Sequence, residues 1–414
     1  MIRFEKCHDT ELVKRSIPFS PPDISDKEID QVVQTLKSGW ITTGPRTKLF
    51  EKKIAERIGA PCAVTLNSAT AAMELTLRIL GVREGDEIIT TAYTYTATAA
   101  VIHHVGAKIV LMDTALDSFE IDYDKLADAI TEKTKVIMPV DIGGRMCDYE
   151  KIFTIIERKR NLFTPSSEIQ KLFNRIIVLA DSAHGFGASY KGKNNGTVAD
   201  FTCFSFHAVK NLTTVEGGAA VWKSREGLDD DWLYNQYMLY SLHGQSKDAL
   251  TKSRSESWEY DVLQLGYKCN MTDIQASLGL AQLERYDAML RRRREIIEMY
   301  DDALIPLGLY SLKHFEESSQ SSGHLYMIRV SEINERQRNE VIVKMAEAGI
   351  ATNVHYKPLP MFTAYKALGF DIVNYPNAFA QYQNEITLPL GTFLKDRDVE
   401  YVIYHMKKVL TEII

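Results

Sequence analysis

Two hydrophobic periods take turns along the first two thirds of the chain. Short continuous apolar runs at Ala63–Leu66, Glu87–Thr90, Lys108–Met112, Lys135–Val140 and Ile176–Ala180 predict strands covered on both faces. Helical spacing falls between them. A helix opens at Asn67-Ser68-Ala69-Thr70 and carries Ala72, Leu75, Leu77 and Leu80, and further helices are expected near Thr96–Val105, Tyr123–Ile130 and Tyr149–Lys159. Upstream, Ser25-Asp26-Lys27-Glu28 is a capping box, Ile29, Val32, Val33 and Leu36 form one apolar face, and Gly39 closes the turn. Trp40–Pro45 reads as a turn-rich loop, and Thr164–Ser167 as a short polar surface insertion. This alternation predicts an α/β unit with a mostly parallel sheet.

The pattern changes near Met271. Thr272-Asp273-Ile274-Gln275 is a second capping box opening a helix that reaches about Leu304. Strands are expected at Tyr326–Val330 and Ile350–Val354, and helices at Arg336–Ala348 and Asp396–Ile413. The division that follows is a large α/β domain over residues 15–285 and a smaller C-terminal α+β domain over 286–414.

Composition narrows the class. With 414 residues, 45% hydrophobic and 25% charged, the chain is globular rather than disordered or fibrous. A net charge of −6 supplies no basic excess for neutralising a nucleic acid backbone, so nucleic acid is not an expected partner. Arg291–Arg294 is interleaved with Glu284, Asp287 and Glu295 and reads as a solvated helix face. No run approaches a membrane span, and the first residues lack the apolar core of a signal peptide. The five cysteines, Cys7 among them, form no CxxC pair, so disulfides and structural zinc are not expected and a reduced cytoplasmic setting is. No metal-ligand spacing, P-loop or complete dinucleotide fingerprint is present.

The chemistry concentrates in Val178–Gly185 and Phe204–Gly218. Asp181 ends an apolar strand, the edge at which open parallel sheets bind ligands. Lys210 sits in an apolar setting that lowers a lysine pKa and frees it as a nucleophile. An acid, a lysine and a small-residue turn fit a pyridoxal 5'-phosphate (PLP) site, with the acid on the ring nitrogen and the turn on the phosphate. Taken singly, Asp181 also reads as a cap, Lys210 as solvated, and Gly217-Gly218 as a hairpin turn.

The motifs FSFHAVKNLTTVEGGAAV, NSATAAMELTLRILG, GDEIITTAYTYTAT, ADSAHGFGASYKGK and LGYKCNMTDIQASLGLAQLERYDAMLRRRREI, with NVHYKPLP and ITLPLG, occur in one order over nearly the whole chain. So arranged, the chain resembles the DegT/DnrJ/EryC1/StrS family of sugar aminotransferases, of PLP fold type I. The resemblance implies that Lys210 carries the cofactor covalently and shuttles the proton, and that Asp181 pairs with the pyridine nitrogen. It implies that His184 contacts the cofactor ring or its phenolic oxygen, that Ala69, Thr70 and Ser205 bind the phosphate, and that Tyr95 stacks on the ring. Asn270 matches a residue that reaches the phosphate of the neighbouring subunit, which implies a homodimer with shared active sites. Thr42, His355 and Tyr356 are sugar-site candidates by position. His207 reads as structural, and His355 has an equally good reading as a satisfied histidine under the small domain.

The chain departs from the family at Val140-Asp141-Ile142-Gly143, where a histidine is usual, which leaves the contacts of Asp141 open. The implied reaction moves an amino group from L-glutamate to a nucleotide-linked keto sugar. SFHAVK, EGG and TDIQASLG are similar to members acting at C4 of UDP-linked 4-keto sugars. A 3-keto-sugar aminotransferase, a dehydratase of the same fold and a non-catalytic PLP-fold regulator are the alternatives; Lys210 disfavours the dehydratase, whose branch has histidine there.

Overall fold

The computed structural model describes residues 15–247 and 259–414; Cys7 and most of the N-terminal stretch lie outside them. Seven strands build the main sheet: β1 (Ala63–Leu66), β2 (Glu87–Thr91), β3 (Lys108–Met112), β4 (Thr134–Met138), β5 (Ile177–Asp181), β6 (Phe201–Ser205) and β7 (Gly218–Trp222). Their order is β1-β7-β6-β5-β4-β2-β3, parallel except that β7 runs antiparallel to both neighbours. Ile88 and Ile89 are both fully buried yet belong to different apolar clusters, one on each face of the sheet. That is why β2 reads as a continuous apolar run.

A smaller antiparallel sheet joins Tyr310–Ser311, Tyr326–Arg329 and Glu385–Leu388. It shares a core with helices Glu335–Glu347 and Asp396–Ile413 and with the end of the 32-residue helix Asp273–Leu304, through Ile296, Ile297, Tyr300 and Leu304. Ile17 enters this second core by pairing with Ile350. Among the described residues no helix is long and apolar enough to cross a membrane.

Several expectations need correction. The stretch Ile350–Val354 is no strand; only Ile350 and Asn353 make isolated bridges, to Ile17 and Thr387, as the chain turns toward the cavity described below. The loop at Trp40–Pro45 ends in an unforeseen helix, Pro45–Ile58, whose first residue is the proline; a proline fits there because that N–H would be unpaired in any case. The Thr164–Ser167 insertion stays at the surface but is tied down. Ser167 caps a short helix, Glu168–Phe173, and its hydroxyl donates to the Leu80 carbonyl at 2.7 Å. Arg293 does not lie on a solvated face: it is buried, and its Nη1 donates to the carbonyls of Gly323, His324 and Leu390.

The first helix, Asp26–Lys37, has its capping box, but its faces are reversed relative to the usual rule. Fully buried Glu28 accepts from Arg285 Nε at 2.8 Å and from Gln282, on the long helix, whereas Ile29, Val33 and Leu36 are exposed by 52%, 39% and 52%.

Candidate functional site

Asp181 is the last residue of β5, paired in register with Cys203 of β6, so its side chain leaves the sheet at the carboxyl edge. It is nearly buried. Thr98 Oγ1 donates to Oδ2 at 2.6 Å and the Ala183 N–H to Oδ1 at 3.2 Å. Burial raises its pKa; those two donors and the Lys210 charge oppose the rise.

Lys210 follows β6 in a turn fixed by its own N–H to the His207 carbonyl at 2.9 Å. The loop closes through Phe206 N to the Gly217 carbonyl, and β7 then returns beside β6. Burial pushes the Lys210 pKa down to about 8 against the pull of Asp181. Among the described residues its Nζ makes no hydrogen bond or ion pair.

The third wall is the start of helix Ala69–Ile79. Ser68 caps it by accepting from Ala71 N, which leaves the Ala69 and Thr70 N–H groups as the unpaired donors of the first turn. A side-chain carbon on Gly218 would lie 2.3 Å from Ala69 N, so glycine is what lets β7 pass this close.

These elements surround a cavity of about 520 Å³ reached by Asp181, His184, Lys210, Ala69, Thr70, Ser205 and Tyr95, and by His355 and Tyr356 from the C-terminal part of the chain. Tyr95 is 61% exposed, its ring toward that of Tyr356 at 6.2 Å. His184 Nδ1 accepts the Gly143 N–H at 3.1 Å, so its neutral ring carries the proton on Nε2, 3.1 Å from the Tyr356 hydroxyl. Burial, with Lys210 and His355 nearby, holds its pKa well below the ordinary histidine value. Gly143 has φ +62°, and a side chain there would strike Leu312. His207 sits at the rim with Nε2 3.6 Å from Glu216 Oε1.

Thr42 and Asn270 do not reach this cavity. Both sit at the start of the long helix, where the Thr42 carbonyl accepts the Asp273 N–H at 3.1 Å and Asn270 Nδ2 donates to Thr43 Oγ1. Asp141 does not line the cavity either. It is buried beneath, accepting from Cys147 N, Tyr149 Oη, Ser182 Oγ and Asn195 Nδ2, and burial pushes its pKa up to about 6. Its work is to hold the Ser182–Gly185 turn that presents His184.

The sequence reading overlooked His324, which also lines the cavity. Asn211 Nδ2 donates to the Ser322 carbonyl, so its Oδ1 accepts from His324 Nδ1 at 2.9 Å. The ring packs against that of His184 at a tilt of 47°, 4.4 Å between centroids. No local period marks a histidine that follows a turn and precedes a strand.

The donor set suits PLP. Unpaired N–H groups at a helix start and the Ser205 hydroxyl suit a phosphate, a buried carboxylate suits a protonated ring nitrogen, and an unpartnered lysine suits an aldehyde.

Comparison with known proteins agrees with this geometry. Spr1654 of Streptococcus pneumoniae, a protein assigned to the sugar aminotransferases, superposes in its pyridoxamine phosphate (PMP) form with a TM-score of 0.94 at 55% identity, covering 96% of this chain and 100% of that one. Its PLP form gives 0.93 at 53% identity, covering 97% and 100%. PseC of Helicobacter pylori, an aminotransferase involved in the biosynthesis of pseudoaminic acid, gives 0.82 at 28% identity over 96% and 100%. The spore coat polysaccharide biosynthesis protein SpsC of Bacillus subtilis is 37% identical over 398 residues, 95% of this chain and 97% of that protein. The DegT/DnrJ/EryC1/StrS aminotransferase family matches residues 22–407, and the chain belongs to it.

Proposed function

We propose that this chain is a PLP-dependent aminotransferase that moves an amino group from L-glutamate to the C4 ketone of a UDP-linked 4-keto sugar, acting in the cytoplasm on precursors of a surface polysaccharide or glycan. The observation that carries the reading is the convergence of Lys210 and Asp181, from the ends of adjacent strands, on one cavity closed by a helix start. The site lies where a large unit, residues 15–285, meets a smaller one, 286–414.

When bound, PLP supplies an electron sink for a carbanion next to nitrogen. Asp181 holds a negative charge in a buried place, where a positive ring nitrogen is its natural partner. Lys210 Nζ, pushed down to about 8, accepts and returns a proton near neutral pH, where an exposed lysine stays charged. The Ala69 and Thr70 N–H groups and the Ser205 hydroxyl would hold the phosphate, and Tyr95 would pack on the ring. His184, with its proton on Nε2, and Tyr356 would orient polar groups of the cofactor or substrate. Likeness to PseC and SpsC supports a sugar substrate and a polysaccharide setting. Incubating the protein with glutamate and a panel of UDP-, dTDP- and GDP-linked 4-keto and 3-keto sugars, read by mass spectrometry, tests the substrate. A 4-amino UDP-sugar is expected; amination only at C3, or no 2-oxoglutarate with any sugar, overturns it.

The functional unit is a homodimer with shared sites. Asn270 and Thr42 lie outside their own chain's cavity, and the exposed Ile29, Val33 and Leu36 give the first helix an apolar face for a second copy to cover. A mixture of Lys210→Ala and Asn270→Ala proteins, exchanged between subunits, should recover turnover that neither has alone. A monomer in light scattering, or no recovery after exchange, counts against the shared site.

A further inference from the structure

A buried carboxyl lies behind His355 with no task in the transamination proposed above. Glu385, the first residue of its strand, is fully buried. Its Oε2 accepts the His355 N–H at 2.8 Å, and its Oε1 accepts the Thr387 hydroxyl. Thr387 Oγ1 in turn lies 2.9 Å from His355 Nδ1. The His355 ring packs on Phe19, 5.6 Å between centroids, and borders the cavity; its Nε2 has no hydrogen-bond partner among the described residues.

The protons in this chain can be counted. A hydroxyl has one hydrogen, and a carboxylate donates none. While Glu385 is ionised, Thr387 must give its hydrogen to Oε1, so Oγ1 accepts from His355 Nδ1–H and Nε2 faces the cavity as a lone pair. Once Glu385 takes up a proton on Oε1, the chain reverses. Oε1–H then donates to Oγ1, the Thr387 hydrogen turns to Nδ1, and the imidazole proton sits on Nε2.

We infer that Glu385 and Thr387 are positioning residues that set the polarity of His355 Nε2 toward the bound sugar, a donor when Glu385 is protonated and an acceptor when it is ionised. The inference rests on reading the cavity as a sugar site. A donor suits a carbonyl or ether oxygen of the substrate, and an acceptor suits a hydroxyl. The surroundings place the switch in a working range. Burial pushes Glu385 up to about 8, against Thr387, the His355 N–H and the Arg338 charge. Burial and Lys210 hold His355 down to about 3, so the ring stays neutral throughout. The other groups facing this cluster are Tyr93, whose hydroxyl donates to the His355 carbonyl at 2.9 Å, Tyr356, and Arg329, the buried register partner of Glu385 on the neighbouring strand, whose Nε donates to Asn384; Arg338 Nη1 donates to the Glu385 carbonyl at 3.1 Å. Below about pH 8 the donor form prevails, and above it the acceptor form.

Long-range proton–nitrogen spectra of protein carrying ¹⁵N-histidine read the tautomer directly, with His355 assigned by its loss in His355→Gln. Nε2 should pass from protonated to unprotonated as pH rises through about 8. Glu385→Gln should hold it protonated at every pH, because the His355 N–H claims the amide oxygen and leaves the amide nitrogen to donate to Oγ1. Thr387→Val should abolish the pH response, and Thr387→Ser should restore it. In kinetics, Glu385→Gln should change the pH profile of kcat/KM for the sugar half-reaction near pH 8, leaving only the limb that Lys210, also pushed to about 8, contributes, with the glutamate half-reaction keeping its own profile. A tautomer that ignores pH in the unaltered protein, or follows it equally in Glu385→Gln, overturns the relay. The spectra need no turnover, so failure of the proposed reaction would appear separately, in the sugar panel.

Discussion

Lys210→Ala protein should fold normally, lose the borohydride-reducible link to PLP, and lose transamination by about 10⁴-fold, the upper end of what one positioned acid–base group supplies. The physical reason is specific to this side chain. Its Nζ has no partner among the described residues, so truncation to alanine strands no buried donor or acceptor and should cost little stability. It does remove the nitrogen proposed to carry the cofactor and to move the proton. The groups at Ala69, Thr70 and Ser205 proposed for the phosphate stay intact, so PLP should still bind, reversibly. Reduction with borohydride followed by peptide mass spectrometry is the decisive measurement: a pyridoxyl label that persists in the variant would place the covalent site elsewhere.

Asp181→Asn should separate binding from catalysis. Asparagine keeps the shape, and its one oxygen can accept the Ala183 N–H while its amide nitrogen donates to a rotated Thr98 hydroxyl, but it cannot carry the charge that would balance a protonated ring nitrogen. Removing one partner of a buried ion pair costs roughly 3–5 kcal/mol. If that cost falls on the catalytic step, turnover drops by about 10²- to 10⁴-fold at ~1.4 kcal/mol per decade. PLP should remain bound, with its absorbance shifted toward the unprotonated-ring form. Near-normal kcat in this variant would show that the carboxylate does not govern ring protonation.

The elements and the site were legible in the sequence to different degrees. The strands of the main sheet that were expected fall within a residue or two of their places, because burial on both faces writes itself as an uninterrupted apolar run. The two capping boxes likewise located Asp26–Lys37 and Asp273–Leu304. Failures occurred where local pattern and tertiary role part company. The Pro45–Ile58 helix hides behind a proline that looks like a breaker. Arg293 sits in a charged run yet is buried, with its Nη1 donating to three buried carbonyls. The apolar face of the first helix points outward because Glu28 and Thr35 take the inward side.

The backbone of Val215, a β-branched residue held at φ +72° in the loop after Lys210, shows the same limit. No local preference asks for that conformation; the closure of the loop by Phe206 and Gly217 imposes it.

By itself the sequence determined the layered α/β order, the strand-end acid, the lysine behind the next strand and the family, since each is written in neighbouring residues. Only the tertiary structure decided what those groups meet. Tyr356 reaches His184 across 172 positions, Gly143 fixes the His184 proton from 41 away, and Glu385 addresses His355 from 30 away. Asp141 lies beneath the cavity bonded to Cys147, Tyr149, Ser182 and Asn195, and Asn270 and Thr42 fall outside their own chain's cavity. Spacing along a chain reports periodicity within one element, whereas hydrogen bonds between elements depend on how sheet, long helix and second core pack, and no local pattern encodes that.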